Sequence, residues 1–300
     1  MKIIKHKNIF LGFSVLLVIA SIASIFIYGL RPSIDFAGGV LVEISYPETR
    51  PPITTLEEGL NSLDLGVYSL RPSGENGITL RARALSETER TRVLGVLLEG
   101  ETVVVERFNN IGPAIGAELK GKATVALSLV VFMIILFITF AFRKVSKPVA
   151  SWKYGLVAIV ALIHDLIIPT GVFAILGYYL GYEIDALFVT ALLAIFGYSV
   201  ADTIVVFDRI RENLKLKDEY RTNESFEETV GKSLSQTVSR SFNTSFTTAL
   251  ALGALYVLGP SSTNHFALTL LVGIVAGTYS SIFLAAPLLV VLEKWQKKVL

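Results

Sequence analysis

Hydrophobic and polar positions along the chain divide it into long apolar runs and polar connections. Six runs are about 20 residues long, the length that an α-helix needs to cross the hydrocarbon core of a bilayer. The pattern therefore predicts six membrane-spanning helices, at residues 9–30, 123–142, 154–176, 184–207, 241–259 and 266–292. The first run is as long as a span and has no small-residue cleavage site before Arg31, so we interpret it as a retained helix.

A polar stretch of domain size, residues 31–122, separates the first two runs. Its alternating positions predict strands at residues 40–46, 67–70, 78–84 and 102–108. Thr54-x-x-Glu57 and Ser86-x-x-Glu89 have the form of capping boxes, which predict the starts of two helices. The resulting β-α-β-β-α-β order is that of the ferredoxin-like fold, which hosts many functions and so identifies none.

The predicted fold class is a membrane protein with an all-α bundle of six transmembrane helices. A ferredoxin-like α+β domain is inserted between helices 1 and 2. The chain is thereby divided into residues 1–30, 31–122 and 123–300.

Basic residues predict the orientation of these helices, because short loops rich in Lys and Arg stay in the cytoplasm. Lys and Arg lie before span one, between spans two and three, after span four and at the end of the chain. The opposite short loops, residues 177–183 and 260–264, contain none. We therefore expect both termini in the cytoplasm and the polar domain outside, in the periplasm, for a multi-pass protein of a bacterial plasma membrane.

Composition narrows the class of protein further. Hydrophobic residues make up 52% of the chain and charged residues 17%, which is too apolar for an ordinary soluble domain. The net charge of +2 comes from loops that flank the membrane, so it gives no support for nucleic-acid binding. Cysteine is absent, which leaves the exported domain without disulfides.

The most informative single residue is Asp202, which lies inside the fourth apolar run. A carboxylate near the middle of a span costs roughly 2.5 to 3.5 kcal/mol on insertion scales, so it usually faces a bundle interior, a water-filled path or a cation. We expect Asp202 to lie toward the end of this helix that carries Arg209 and Arg211. The alternative is a static ion pair or a hydrogen-bond acceptor for Ser199 and Thr203.

Three further polar side chains fall in or next to predicted spans. Arg240 precedes span five and is either a partner for a carboxylate or an interfacial anchor that snorkels to the headgroups. His164 and Asp165 lie near the middle of span three, four residues before Pro169. They form either a second polar layer or packing that steadies the first, and we favour the supporting role.

Few residues of the chain have the spacing that enzymes require. The three histidines lie in separate segments and have no metal-ligand spacing. Gly231-Lys232-Ser233 imitates the end of a phosphate-binding loop, but Phe226 stands where the first glycine belongs. We therefore expect no enzymatic activity, no metal and no cofactor.

One segment resembles a known family closely. Residues 197–213 read GYSVADTIVVFDRIREN, and the fourth-span signature of the SecF family of protein-export membrane proteins reads GYSxNDTxVVFDRIREN. Ala201 stands at the Asn of that signature. Four other segments agree in the same order, namely residues 35–39 (DFAGG), 112–116 (GPAIG), 164–165 (HD) and 235–245 (SQTVSRSFNTS).

The resemblance implies a partner chain, SecD, in a complex attached to the Sec translocon channel, and distant kinship to the RND superfamily. Such a complex uses the proton-motive force to promote export of an unfolded polypeptide. Within this family, Asp202 and Arg240 are expected on the proton pathway. The supporting polar residues are then His164, Asp165, Ser199 and Thr203, and the coupling ion, proton or sodium, stays open.

Glycine-bearing motifs lie at both ends of the outer domain. They are expected to be hinges or junctions, and they comprise Asp35, Gly38, Gly39, Gly112, Pro113 and Gly116. The simplest interpretation of Gly38 and Gly39 is a tight backbone path, and that of Gly273-x-x-x-Gly277 is close helix packing.

Two other classes of function remain open at this point. One is half of a proton-coupled exporter of small molecules or lipids, although only one set of six spans is present. The other is a scaffold in which the buried charges merely fix assembly.

Overall fold

The computed structural model describes residues 2–98, 103–141 and 149–299, which form two compact units. One unit combines Met1–Arg31 with Val125–Leu300, and the other is Pro32–Thr124. The helices are α1 (Lys2–Lys5), α2 (Lys7–Tyr28), α3 (Ile34–Ala37), α4 (Ile53–Asn61), α5 (Glu87–Leu97), α6 (Pro113–Ala141), α7 (Ser151–Leu180), α8 (Ala186–Glu219), α9 (Phe226–Leu258), α10 (Ser261–Tyr279) and α11 (Ala286–Val299). A π-helical turn, Ser280–Ala285, connects α10 to α11.

Within the described residues, five stretches of helix are long and apolar enough to cross a membrane. They are Lys7–Tyr28, Pro113–Ala141, Trp152–Leu180, Ala186–Glu219 and Thr263–Gln296. The predicted span at residues 241–259 lies in α9 except for its last residue, Gly259, which caps the helix. Helix α9 is not among the five, because polar residues such as Asn243, Thr244 and Thr247 lower its hydropathy. Membrane crossing by α9 therefore stays a prediction, and residue 142 of the second predicted span lies outside the described residues.

Local sequence explains where the long helices begin and end. The Asp185 side chain accepts a hydrogen bond from the Phe188 amide at 2.7 Å and caps α8. Ser225 and Glu228 form a capping box at the start of α9. Helix α7 runs through Pro169 and ends at Gly181, which has the left-handed conformation that glycine adopts most easily.

The core of the membrane unit is built where these helices cross. Tyr154 on α7 and Phe207 on α8 are fully buried, and their rings meet edge to face at 5.4 Å. A Cβ atom on Gly273 would lie 2.1 Å from the Ile195 side chain, so α10 approaches α8 as closely as glycine allows. The prediction of close packing at the Gly273 motif is therefore confirmed.

The second unit contains an antiparallel sheet of four strands, with the predicted β-α-β-β-α-β order. The strands are β1 (Gly39–Ser45), β2 (Ser69–Ser73), β3 (Gly77–Ala82) and β4 (Val104–Ile111), and their order across the sheet is β2-β3-β1-β4. Val42 of β1 lies opposite Leu80 and Phe108, and the buried face of the sheet packs on Leu60 and Leu97. Residue 102 of the predicted last strand lies outside the described residues.

Of the two predicted capping boxes in this unit, one is confirmed and one is wrong. The Ser86 side chain accepts from the Glu89 amide, and the Glu89 carboxylate accepts from the Ser86 amide. Hydrogen bonds from Arg83 and from the Ser86 amide lower the pKa of Glu89 to about 2. Thr54 caps nothing, because α4 begins at Ile53, directly after Pro52, and Thr54 is therefore already inside the helix.

Candidate functional site

The Asp202 side chain is held by two serines from other helices. Ser241 of α9 donates to Asp202 Oδ1 at 2.5 Å, and Ser281 of the π-helical turn donates to Oδ2. Each carboxylate oxygen therefore has a hydroxyl donor. The alternative that Asp202 accepts from Ser199 and Thr203 is wrong, since Ser199 donates to another carboxylate, and the buried Thr203 hydroxyl has no partner within the described residues.

Asp202 is half-buried and opens on a cavity of about 260 Å³ between α8 and α9. Tyr198, Arg240 and Thr244 contribute polar groups to the cavity wall, and Ala201 leaves room beside the carboxylate. Arg240 is exposed and makes no hydrogen bond or ion pair in the part of the chain that the structure describes. The structure thus brings Asp202 and Arg240 to one cavity without joining them.

A second, more polar cavity of about 290 Å³ lies further along the same two helices. It shares Val205 and Arg240 with the first cavity, and Asp208, Glu212 and Gln236 are among its other lining residues. The two cavities therefore adjoin at Arg240, and the second one lies along the polar extensions of α8 and α9.

His164 and Asp165 form a separate, closed cluster. Both are almost completely buried, and His164 Nδ1 lies 2.8 Å from Asp165 Oδ1. Asp165 Oδ2 accepts from Ser199 at 2.5 Å and from Ser280 at 2.7 Å. With three donors, Asp165 has the hydrogen bonds that a buried carboxylate requires.

A third set of hydroxyls lies beside the Asp202 network. Tyr198 donates to Ser245 Oγ at 2.8 Å, and Ser245 Oγ lies 2.5 Å from Thr278 Oγ1. Ser245 is one helical turn from Ser241, whose backbone carbonyl accepts from it at 2.8 Å. Hydroxyl groups thus line the contact of α8, α9 and α10.

Sequence reasoning missed Ser241, Ser280 and Ser281 as ligands of the two carboxylates. A signal was available, since Ser280 and Ser281 form a polar pair inside an apolar run and Ser241 directly follows Arg240. For a metal ion, the described residues contain no group of three or more His, Asp or Glu side chains that could bind one.

The two glycine motifs pack against each other within the outer unit. Gly38 has φ +74°, and a Cβ atom there would lie 2.9 Å from Pro113 Cα. A Cβ atom on Gly116 would lie 2.9 Å from the Gly38 amide nitrogen. Gly39 has φ +134°, so the predicted tight backbone path at Gly38 and Gly39 is confirmed.

Comparison with known proteins gives the family. The model of the protein-export membrane protein SecD/SecF C-terminal region matches residues 98–295, and that of the SecD/SecF GG motif matches residues 23–46. The SecF subunit of the protein translocase of Thermobaculum terrenum is 40% identical, covering 99% of this chain and 94% of the relative. That of Anaerolinea thermophila is 38% identical, covering 98% and 94%.

A solved structure has the same arrangement over nearly the whole chain. The crystal structure of SecDF, a translocon-associated membrane protein from Thermus thermophilus, is 30% identical with a TM-score of 0.82. The match covers 99% of this chain and 39% of that one, so this chain spans about two fifths of the solved protein. Together with the curated relatives, this shows that the chain belongs to the SecD/SecF family of protein-export membrane proteins, in its SecF branch of protein translocase accessory subunits.

Proposed function

We propose that this SecF-type chain acts with a SecD partner at the Sec translocon channel and uses the proton-motive force to promote export of unfolded polypeptides. The observation that carries the proposal is the environment of Asp202. A carboxylate in an apolar span is held by two serine hydroxyls and opens on a cavity that Arg240 also lines. Intramembrane carboxylates of this kind mark ion pathways.

The two cavities supply a route for the ion. They share Arg240 and continue to Asp208 and Glu212 on the polar extension of α8. With both termini in the cytoplasm, this extension lies on the cytoplasmic side, so a proton leaving Asp202 reaches the cytoplasm past Arg240. Because the guanidinium is always charged, its approach to Asp202 favours the ionised carboxylate and its withdrawal favours the protonated one.

The membrane topology that this route requires has six spans, with α9 crossing as the fifth and the outer unit in the periplasm of a bacterial cell. Helix α9 carries Arg240 and exposed polar residues such as Asn243 and Thr247, which need protein or water around them in a membrane. A SecD partner on this face satisfies that need. The largely exposed apolar residues of α2, among them Phe26, fit direct contact with lipid.

The outer unit is suited to holding a polypeptide without reading its sequence. Strands β2 and β4 are the two edges of its sheet, and an extended peptide can pair with a free edge through main-chain hydrogen bonds. The glycine junctions at both ends of the unit are where a few backbone angles absorb its reorientation. The unit thereby acts as a clamp that stops the polypeptide from sliding back.

Two experiments test this function. The chain, purified in mild detergent, is expected to retain a SecD chain. In proteoliposomes with the translocon, it is expected to raise export of a precursor only when a proton gradient or potential is imposed. Equal export with and without the gradient would contradict the proposal.

A disulfide that joins the outer unit to a loop of the membrane unit tests the moving clamp. The chain has no native cysteine to interfere. Export is expected to stop in the crosslinked protein and to recover on reduction, while the two single-cysteine variants export normally. Export that continues with the crosslink fully formed would rule out a moving domain.

The two other functions considered from the sequence, an exporter half and a scaffold, can also be distinguished from the proposed function. An exporter half has no observation in its favour, since the relatives are translocase subunits. A scaffold in which the buried charges fix assembly predicts that neutralising Asp202 releases the partner. A motor predicts that the complex remains intact and loses only its dependence on the gradient.

A further inference from the structure

The π-helical turn Ser280–Ala285 brings two consecutive serines to two different carboxylates. Ser280 donates to Asp165 on α7 at 2.7 Å, and Ser281 donates to Asp202 on α8. Successive side chains of a helix point in different directions, so adjacent serines reach sites on two neighbouring helices. Single π turns inside α-helices are rare, and those that occur are often found at functional sites.

Each of these serines has a second acceptor close by. Ser281 Oγ also lies 3.1 Å from the Thr278 carbonyl oxygen, and Ser280 Oγ lies 3.0 Å from the Gly277 carbonyl oxygen. A hydroxyl has a single proton to donate. It favours the carboxylate while that group is ionised, because hydrogen bonds to charged acceptors are the stronger ones. Once the carboxylate is protonated, its own O–H can donate to the serine, which turns its proton to the carbonyl.

The two carboxylates differ in access to water. Asp202 opens on the cavity that Arg240 lines, whereas Asp165 is only 1% exposed. Among the described residues, the titratable group in contact with Asp165 is His164 on its own helix, and the ring of Tyr279 stacks on His164 at 6.0 Å. From α8 it receives only the neutral hydroxyl of Ser199, and His164 Nε2 is buried without a partner among the described residues.

We propose that Ser280 and Ser281 are positioning residues that couple Asp202 and the buried His164–Asp165 pair into one proton-responsive unit. When Asp202 loses its charge, Ser281 no longer donates to it. The resulting shift of the π-helical turn moves the adjacent Ser280 and so changes its hydrogen bond to Asp165 on α7. This inference rests on the proposed proton site at Asp202. It adds a route by which the state of that site reaches a helix that Asp202 does not contact through its own hydrogen bonds.

The test is infrared difference spectroscopy of the purified complex over a range of pH. The carboxylic-acid band that disappears in Asp202→Asn belongs to Asp202, and its midpoint pH is measured in the serine variants. Ser280 donates to Asp165 and not to Asp202. We nevertheless expect Ser280→Ala and Asp165→Asn each to move the Asp202 midpoint by about one pH unit, the scale at which two sites titrate as a pair.

Matched variants separate coupling from general damage. Ser24→Ala removes a buried hydroxyl that donates only to the carbonyls of Ser21 and Gly171, and it is expected to leave the midpoint unchanged. Ser280→Thr keeps a hydroxyl and should restore most of the wild-type midpoint. If Ser280→Ala does not assemble, Ser280→Cys keeps nearly the same volume with a weaker donor and should shift the midpoint partway.

The possible outcomes distinguish the coupling through the serines from the proposed proton site at Asp202. An Asp202 band that titrates with the same midpoint in wild type, Ser280→Ala and Asp165→Asn overturns the coupling and leaves the proton site intact. An Asp202 residue that shows no titration at any pH overturns the proton site and the coupling together.

Discussion

Replacing Asp202 by Asn is the sharpest test of the energy source, because the structure predicts that the fold tolerates the change. The asparagine carbonyl oxygen can accept from Ser241 as Asp202 Oδ1 does now, at 2.5 Å. Its amide can donate to Ser281, whose hydroxyl proton then turns to the Thr278 carbonyl at 3.1 Å. Both polar atoms of the new side chain have a partner, and asparagine imitates the protonated acid.

The expected cost to stability is correspondingly small. Two charge-assisted hydrogen bonds become neutral ones, and neutral bonds are about half as strong. With a net worth of about 1 kcal/mol for an ordinary hydrogen bond, each of the two bonds loses about 1 kcal/mol, so we expect a loss of about 2 kcal/mol in the free energy of unfolding. The complex with its partner should therefore assemble at the wild-type level.

The effect on function is expected to be much larger. Each elementary charge that crosses the membrane field supplies about 2.3 kcal/mol per 100 mV, which is more than a tenfold bias in any equilibrium coupled to it. Asparagine cannot carry a proton, so this bias should vanish. The ratio of precursor export with and without an imposed gradient should fall to about one in proteoliposomes that contain Asp202→Asn.

Asp218→Asn is the matched control, since Asp218 lies on the same helix, is exposed and lines neither cavity. This variant should keep the wild-type ratio. An assembled Asp202→Asn complex that still shows full stimulation by the gradient would refute the reasoning. Repeating the assay with a sodium gradient in place of a proton gradient identifies the coupling ion.

Three other predictions concern residues other than Asp202 and Asp165. Arg240→Lys should reduce gradient-driven export, because lysine keeps the charge but lacks the planar guanidinium, and Arg240→Ala should reduce it further. Full activity in both variants would show that Arg240 is only an interfacial anchor. Gly38→Ala should destabilise the outer unit by about 1–3 kcal/mol, because φ is +74° and the new Cβ would lie 2.9 Å from Pro113 Cα. Thermal unfolding measures this loss, and an unchanged melting temperature would contradict it. A hydrogen bond from Lys294 holds the pKa of Glu227 below its usual value, so its stabilising contribution is present at neutral pH and is lost as pH falls through that lowered pKa. Glu227→Gln should therefore lower the melting temperature at pH 7 and match the wild type in acid, and an equal difference at both pH values would contradict the assignment.

Much of the fold follows from patterns that are local in sequence. Apolar runs predicted the long helices, alternation predicted the strands, and Ser86 with Glu89 predicted the start of α5 correctly. The Thr54 box failed, because the sequence pattern is satisfied by chance while the helix already begins after Pro52. The α9 span is ambiguous for a physical reason, since a helix that faces a partner or a polar cavity is less apolar than one that faces lipid.

The site was predictable only in part. Asp202 stands out in the sequence, since it is unfavourable to place an acidic side chain inside an apolar membrane span. Its two ligands are 39 and 79 residues away, on other helices, so the serines are visible in the sequence but cannot be assigned to Asp202 from it. The π-helical turn has no sequence signature that we recognised, although it decides which carboxylate each of two adjacent serines contacts.

The hydrogen-bond network explains why a single charge can influence a whole bundle. Asp202 on α8 is bonded to α9 through Ser241 and to the π-helical turn through Ser281. The next residue of that turn, Ser280, is bonded to Asp165 on α7. Under the proposed coupling, a change of charge at Asp202 alters hydrogen bonds on four helical segments at once, whereas an acid paired with one fixed cation would alter a single contact. Because packed interfaces shift between discrete arrangements, such a shared network lets one proton bias the packing of several helices together.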